Sequence, residues 1–175
     1  MSSKQDSTNQ FTQETGEIHT GGIDALVRLT LDQVRTDARR GLKTGMFVSG
    51  YRGSPVGMLD AALLKQQKTL LAHHIHFVDG LNEDLAATAV WGTQMMHTVG
   101  KQKLDGVTGM WYGKAPGVDR SGDEWRVFHN GDHRSTRDVF DVTVVERAAG
   151  LADDDDSVQL SLLVGTQRPE TDIVR

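Results

Sequence analysis

IHFVDGLNEDLAATAVWGTQ, residues 75–94, reads as a strand feeding directly into a helix. IHFV is a short apolar run of the kind that forms a buried strand. Asn82 is a good N-cap, and Glu83 and Asp84 then fall in the first helical turn, where the helix dipole favours negative charge. Ala86, Ala87, Ala89 and Gly92 follow, too small to fill a core alone but suited to letting another backbone come close. A surface helix normally carries long polar side chains, so this one is expected to be buried. A carboxylate at the buried end of such a helix needs a partner.

Working outward, the same rhythm repeats on both sides. Ile23, Leu26, Val27, Leu31 and Val34 lie at helical spacing, which predicts an amphipathic helix over Gly22 to Arg39, started by Thr20-Gly21 and stopped by Gly41. GMFVS (Gly45 to Ser49) is a candidate buried strand, GYRGSPVG (Gly50 to Gly57) a glycine-rich turn, and Met58 to Ala72 a further helix. The small-residue helix is expected to run from Glu83 to about Thr98, and GVTGMWY (Gly106 to Tyr112) is a third strand. Strands alternating with helices over short links predict βαβ units, and so an α/β fold with a parallel sheet flanked by helices.

From Gly113 the character changes. GKAPGVDRSGD is a loop without periodicity, and VFDVTVVE (Val139 to Glu146) and VQLSLLV (Val158 to Val164) read as strands with no helix between them. The acidic run Asp153 to Asp156 reads as a solvated turn. The expected organisation is a disordered tail over residues 1–16, an α/β domain over 17–125, and a divergent tail over 126–175 that forms a β-hairpin or packs poorly.

Composition narrows the function classes. At 175 residues the chain has room for one sizeable core. A net charge of −5 argues against a general nucleic-acid binder. No apolar run approaches the roughly 20 residues that span a membrane, and residues 1–17 lack the apolar stretch of a secretory signal. There is no cysteine, hence no disulfide and no thiolate-held metal or cluster in this sequence. A cytoplasmic location is the expectation.

Two features converge on one rim. The GYRGSPVG turn leaves a strand and enters a helix, with Gly50 and Gly53 permitting tight turning, Ser54 able to cap and Pro55 suited to a first helical position. Ligands of α/β proteins bind at such carboxyl ends of parallel strands, and Arg52 is well placed there for a carboxylate or phosphate. The pattern is neither a Walker loop nor a dinucleotide fingerprint, so a plain capped connection competes with the functional reading. Glu83, close behind IHFV, is expected on the same sheet edge. It too has a plain reading, as a helix-stabilising charge. His73, His74 and His76 do not have the spacing of a metal site, and a helix C-terminus favouring imidazolium accounts for them. Ser54 is in no nucleophile elbow, and Ser121 has no evident base.

GYRGSP, then GLNEDLAATAVWGTQ, then DGVTGMWYGKAPGVDRSGD form a series that resembles the N-terminal part of the indolepyruvate ferredoxin oxidoreductase family, the fused-chain 2-oxoacid:ferredoxin oxidoreductases. The resemblance runs from about Gly21 to Asp123. It implies the pyrimidine-binding module of a thiamin-diphosphate enzyme, with Glu83 the catalytic, cofactor-binding glutamate that hydrogen-bonds N1′ of the aminopyrimidine. A carboxyl group held away from water suits the proton exchange at N1′ that activates the thiazolium carbon. Gly53 and Asn82 are implied beside the cofactor. Arg52 and Ser54 are implied beside the substrate carboxylate, and Lys114 and Asp119 near the site rim. For the whole enzyme the implied reaction is oxidative decarboxylation of a 2-oxoacid to an acyl-CoA, with ferredoxin and coenzyme A as partners.

The sequence also departs from that pattern. The diphosphate module, with its GDG motif and following Asn, is missing: Gly131-Asp132 precedes His133, and no Asn follows Asn130. Mg²⁺ and a 4Fe–4S cluster are therefore expected only in modules this sequence lacks. The expectation is an incomplete, truncated or frame-shifted product, inactive alone, working with other modules or chains and inclined to self-associate. The alternatives are a non-catalytic α/β module, binding an anion at GYRGSP or serving as an interaction partner, and a remnant without function.

Overall fold

A computed structural model describes residues 9–52, 56–95, 103–114, 117, 120, 121, 139–146 and 158–165. Its elements are α1 (Asn9–Thr12), α2 (Gly22–Arg39), β1 (Thr44–Tyr51), α3 (Leu59–Lys65), α4 (Gln67–Ala72), β2 (Ile75–Gly80), α5 (Glu83–Gln94), β3 (Gly106–Lys114), β4 (Val139–Glu146) and β5 (Val158–Gly165).

The five strands form one sheet in the order β2-β1-β3-β5-β4. β1 is central to a parallel trio, flanked by β2 and β3, so the chain belongs to the α/β class. β5 is antiparallel to β3 and to β4, so the two C-terminal strands pair with each other and extend the same sheet.

Period-two alternation sorts the side chains of β1 and β3 to two faces. Met46, Val48, Met110 and Tyr112 point to one face and pack with Val27, Leu31 and Val34 of α2, Leu59 and Leu63 of α3, and Leu70 of α4. Phe47 and Trp111 point to the other, where Ala86, Ala87 and Val90 of α5 cover them. The short alanines let α5 lie close to the sheet, and Trp111, fully buried, fills the space they leave. α2 ends as its sequence predicts: Arg40 caps it, and Gly41 takes the left-handed conformation (φ 79) that favours glycine.

Four expectations need correction. Residues 9–16 are not a disordered extension. Phe11 is buried against α2, and the guanidinium groups of Arg28 and Arg35 donate to the carbonyls of Gln10, Gln13 and Phe11. One aromatic anchor and two buried arginines thus hold a segment whose composition is otherwise polar. Met58–Ala72 is not one helix but two, interrupted at Gln66 (ψ 7). The first starts at Leu59 rather than Met58, which stands in its cap position at a left-handed φ of 74, while Ser54 and Pro55 lie outside the described residues. Finally, α5 is covered on one face alone, with Leu85, Thr88, Ala89 and Gly92 exposed. Among the described residues no helix is long and apolar enough to cross a membrane.

Candidate functional site

The topology sets where a ligand could sit. From β1 the chain passes through α3 and α4 to β2 on one side; from β2 it crosses through α5 to β3 on the other side of β1. Neighbouring parallel strands whose connections depart in opposite directions leave a crevice at their carboxyl ends. The carboxyl ends of β1, β2 and β3 form that edge here. Tyr51 stands opposite Gly80, so the turn after β1 and the start of α5 leave from one sheet edge.

On the α5 side of that edge stands Glu83. Asn82, extended at φ −153, caps the helix: its side-chain oxygen accepts from the Leu85 N–H at 2.8 Å. This fixes Glu83 in the first turn, facing inward and only 2% exposed. Its backbone carbonyl accepts from the indole N–H of Trp111 at 3.1 Å, pinning the helix start to β3. Two glycines make room for the side chain. A Cβ on Gly113 would stand 2.9 Å from Glu83 Cγ, and one on Gly117 would overlap the same atom. Contacts that short are not tolerated, so the backbone approaches the carboxylate because these positions lack side chains.

The two carboxylate oxygens of Glu83 are unequal. Oε2 accepts from the Arg120 guanidinium at 3.4 Å, and the same guanidinium lies 3.6 Å from Asp84. Ser121 Oγ donates to Asp84 at 3.0 Å, and its N–H donates to the Gly117 carbonyl at 3.0 Å. Oε1 is buried and has no hydrogen-bond partner among the described residues. A buried carboxylate oxygen without a donor costs roughly 1–3 kcal/mol or more, so an acceptor of this kind marks a place where a donor is wanted.

Arg52 stands at the same edge against the opposite face. Its guanidinium is 2.5 Å from Asp79 and 3.4 Å from Asp60, and the hydrogen bond and charge of Asp79 hold its pKa above the ordinary value. The cation expected to await a substrate carboxylate thus already serves two carboxylates of the chain. Beneath it, Tyr112 is buried, its hydroxyl without a partner among the described residues; desolvation, reinforced by Asp60 and Asp79, raises its pKa. Gly50 lies flat on the Tyr112 ring, where a Cβ would stand 2.5 Å away.

Lys114 ends β3, half-buried, at the same edge. Gly53, Ser54 and Asp119 lie outside the described residues. The histidine cluster has a different explanation from the one expected. His73 caps α4, and burial, with Arg35 nearby, lowers its pKa, against the imidazolium form. His74 takes a left-handed φ of 58 in the turn into β2. The sequence alone presents Trp111 as packing and Ser121 as a nucleophile without a base, and gives no role to Gly113, Gly117 or Arg120 beside Glu83. Two adjacent acids at a helix start, needing a cation, were the available signal.

Comparison with protein-family models, with curated proteins and with solved structures gives no match to this chain.

Proposed function

We propose that this chain supplies the pyrimidine-binding half of a thiamin-diphosphate site, within an assembly that decarboxylates 2-oxoacids oxidatively. The observation that carries the proposal is Glu83: a 2% exposed carboxylate on a capped helix start, at the carboxyl edge of a parallel sheet, with Oε1 lacking a donor among the described residues. That chemistry fits a ring nitrogen bearing a proton. When bound, the cofactor supplies a thiazolium carbon and an electron sink for decarboxylation.

The chain's own residues hold and orient. Asn82 and Trp111 fix the helix start, Gly113 and Gly117 keep the carboxylate out of bulk water, and Oε1 accepts and holds the proton at N1′. Among the described residues no acidic or histidine group is arranged to hold a metal ion. The diphosphate and its Mg²⁺ are assigned to partner modules because the GDG motif and its following Asn are missing from this sequence. Ferredoxin and coenzyme A belong to the assembly in the same way. An anion site at the GYRGSP turn finds less support, because Arg52 is engaged by Asp79 and Asp60.

Ligand-detected NMR tests the reading. Thiamin diphosphate added at millimolar concentration is expected to receive saturation transfer at its pyrimidine protons from the wild-type chain, and to lose it with Glu83→Ala. Equal transfer to both proteins would remove Glu83 from the site.

A further inference from the structure

We infer that the face of α2 carrying Arg28 and Arg35 is a docking groove for a segment with one aromatic anchor, and that residues 10–13, which fill it within one copy, also fill it from a second copy of the chain. The inference stands on α1, α2 and the residues between them, and is independent of the role of Glu83.

The groove grips the segment by one side chain and by its main chain. Phe11 is 3% exposed and shares a core with Val27, Leu31 and Val34 of α2. Arg28 donates to the carbonyls of Gln10 and Gln13, and Arg35 donates to that of Phe11 at 2.7 Å. Both arginines are more than nine-tenths buried. Asp32 accepts from both guanidinium groups and so aims them at the segment. Charge-assisted bonds to carbonyls hold any sequence equally, so the single aromatic side chain carries the selectivity. The fit within one copy also leaves a donor over. Arg35 Nε is buried without a hydrogen-bond partner among the described residues, and the nearest acid, Glu14, stands 3.8 Å away.

The tether between the segment and α2 is slack. A helix rises about 1.5 Å per residue, so Gly22 and Arg28 are about 9 Å apart along the axis. The eight residues Glu14 to Gly21 can extend to about 26 Å. They stand off the helix instead, enclosing a cavity of about 500 Å³ with Thr15 and Ile18 on one wall and Ala25 and Leu29 on the other. Nearly all of the tether is exposed, and Gly16 within it takes a left-handed φ of 92. No atom from elsewhere in the chain lies within 4 Å of where a Cβ on Gly21 or Gly22 would be. Phe11 and its carbonyl neighbours therefore make the same contacts whether the tether returns to its own α2 or crosses to another. Exchange loses only the effective concentration that the tether provides, so it grows with protein concentration.

The chain has no cysteine, so exchange can be trapped. Thr15→Cys and Leu29→Cys put one thiol on each wall of the cavity while leaving Phe11 and both arginines in place. The two full-length variants are mixed with a bis-maleimide cross-linker, and the mixed covalent dimer is counted by mass. It is expected to form, to rise with protein concentration, and to fall about tenfold or more when the Thr15→Cys chain also carries Phe11→Ala, the scale of losing one buried aromatic side chain. Absence of the mixed dimer would overturn the exchange, as would a yield indifferent to Phe11→Ala. If the Phe11→Ala chain does not fold, a peptide of residues 9–16 (NQFTQETG) decides. In excess it is expected to suppress the mixed dimer, whereas the same peptide carrying Phe11→Ala leaves it intact. A yield that the NQFTQETG peptide does not lower would mean that the thiols meet without the groove, contrary to the inference.

Discussion

Two charged clusters share the carboxyl edge of the sheet, one on each face, and they differ in what they leave unsatisfied. On the α3 face, Arg52 is exposed and answered by two carboxylates, one of them at 2.5 Å. On the α5 face, Glu83 is buried and answered by one exposed guanidinium, with an oxygen left over. The conspicuous cation is the saturated group, and the buried acid is the one with capacity to bind. The proposed role of Glu83 therefore rests on its unmet hydrogen bond rather than on its charge.

That contrast can be broken at either face. The largest stability effect is expected at Gly117→Ala, which drives a Cβ into the Glu83 side chain. Overpacking of this kind costs about 1–3 kcal/mol. Chemical denaturation should show that loss, and the Glu83 environment should shift in the NMR spectrum; unchanged stability would mean the glycine does not lie on the carboxylate.

On the opposite face the expected effect is smaller and of opposite sign. Tyr112→Phe removes a buried hydroxyl that has no partner among the described residues, so stability at neutral pH should hold or rise by up to about 1 kcal/mol. The same residue sets an alkaline signature. Burial raises the Tyr112 pKa in the folded chain, so above the ordinary value of about 10 the unfolded chain ionises first. The stability from Tyr112 is complete below that pH and is lost as pH rises further. Wild-type unfolding midpoints should fall above pH 10, and Tyr112→Phe should flatten the fall.

Much of the fold is legible in the sequence because its cues are local. The helical stripe Ile23–Leu26–Val27–Leu31–Val34 and the glycine at 41 place α2 to the residue, and the three apolar runs place β1, β2 and β3. The docking of residues 9–16 is not legible. Phe11 is one aromatic in a polar stretch; its carbonyl accepts from Arg35, 24 positions further along, while Arg28 donates to the carbonyls of Gln10 and Gln13, 18 and 15 positions back. The break at Gln66 has no glycine or proline to announce it.

The site divides in the same way. Asn82 and Glu83 are legible because capping and dipole chemistry act within one turn. Arg120 stands 37 residues from Glu83, and Gly117 becomes meaningful only once the backbone is folded onto the carboxylate. The pairing of Arg52 is illegible for a related reason. Asp79 and Asp60 come from two other elements, and no local pattern shows that they meet it.

The smallest perturbation also gives the most direct test. Thiamin diphosphate is presented to wild type, Glu83→Gln and Arg52→Ala, and saturation transfer to its pyrimidine protons is compared. Glu83→Gln keeps the shape but removes the acid, whereas Arg52→Ala removes a cation already engaged elsewhere. Transfer preserved in Arg52→Ala and lost in Glu83→Gln is the predicted result. Transfer kept by Glu83→Gln and lost by Arg52→Ala would place binding on the other face and contradict the assignment of Glu83.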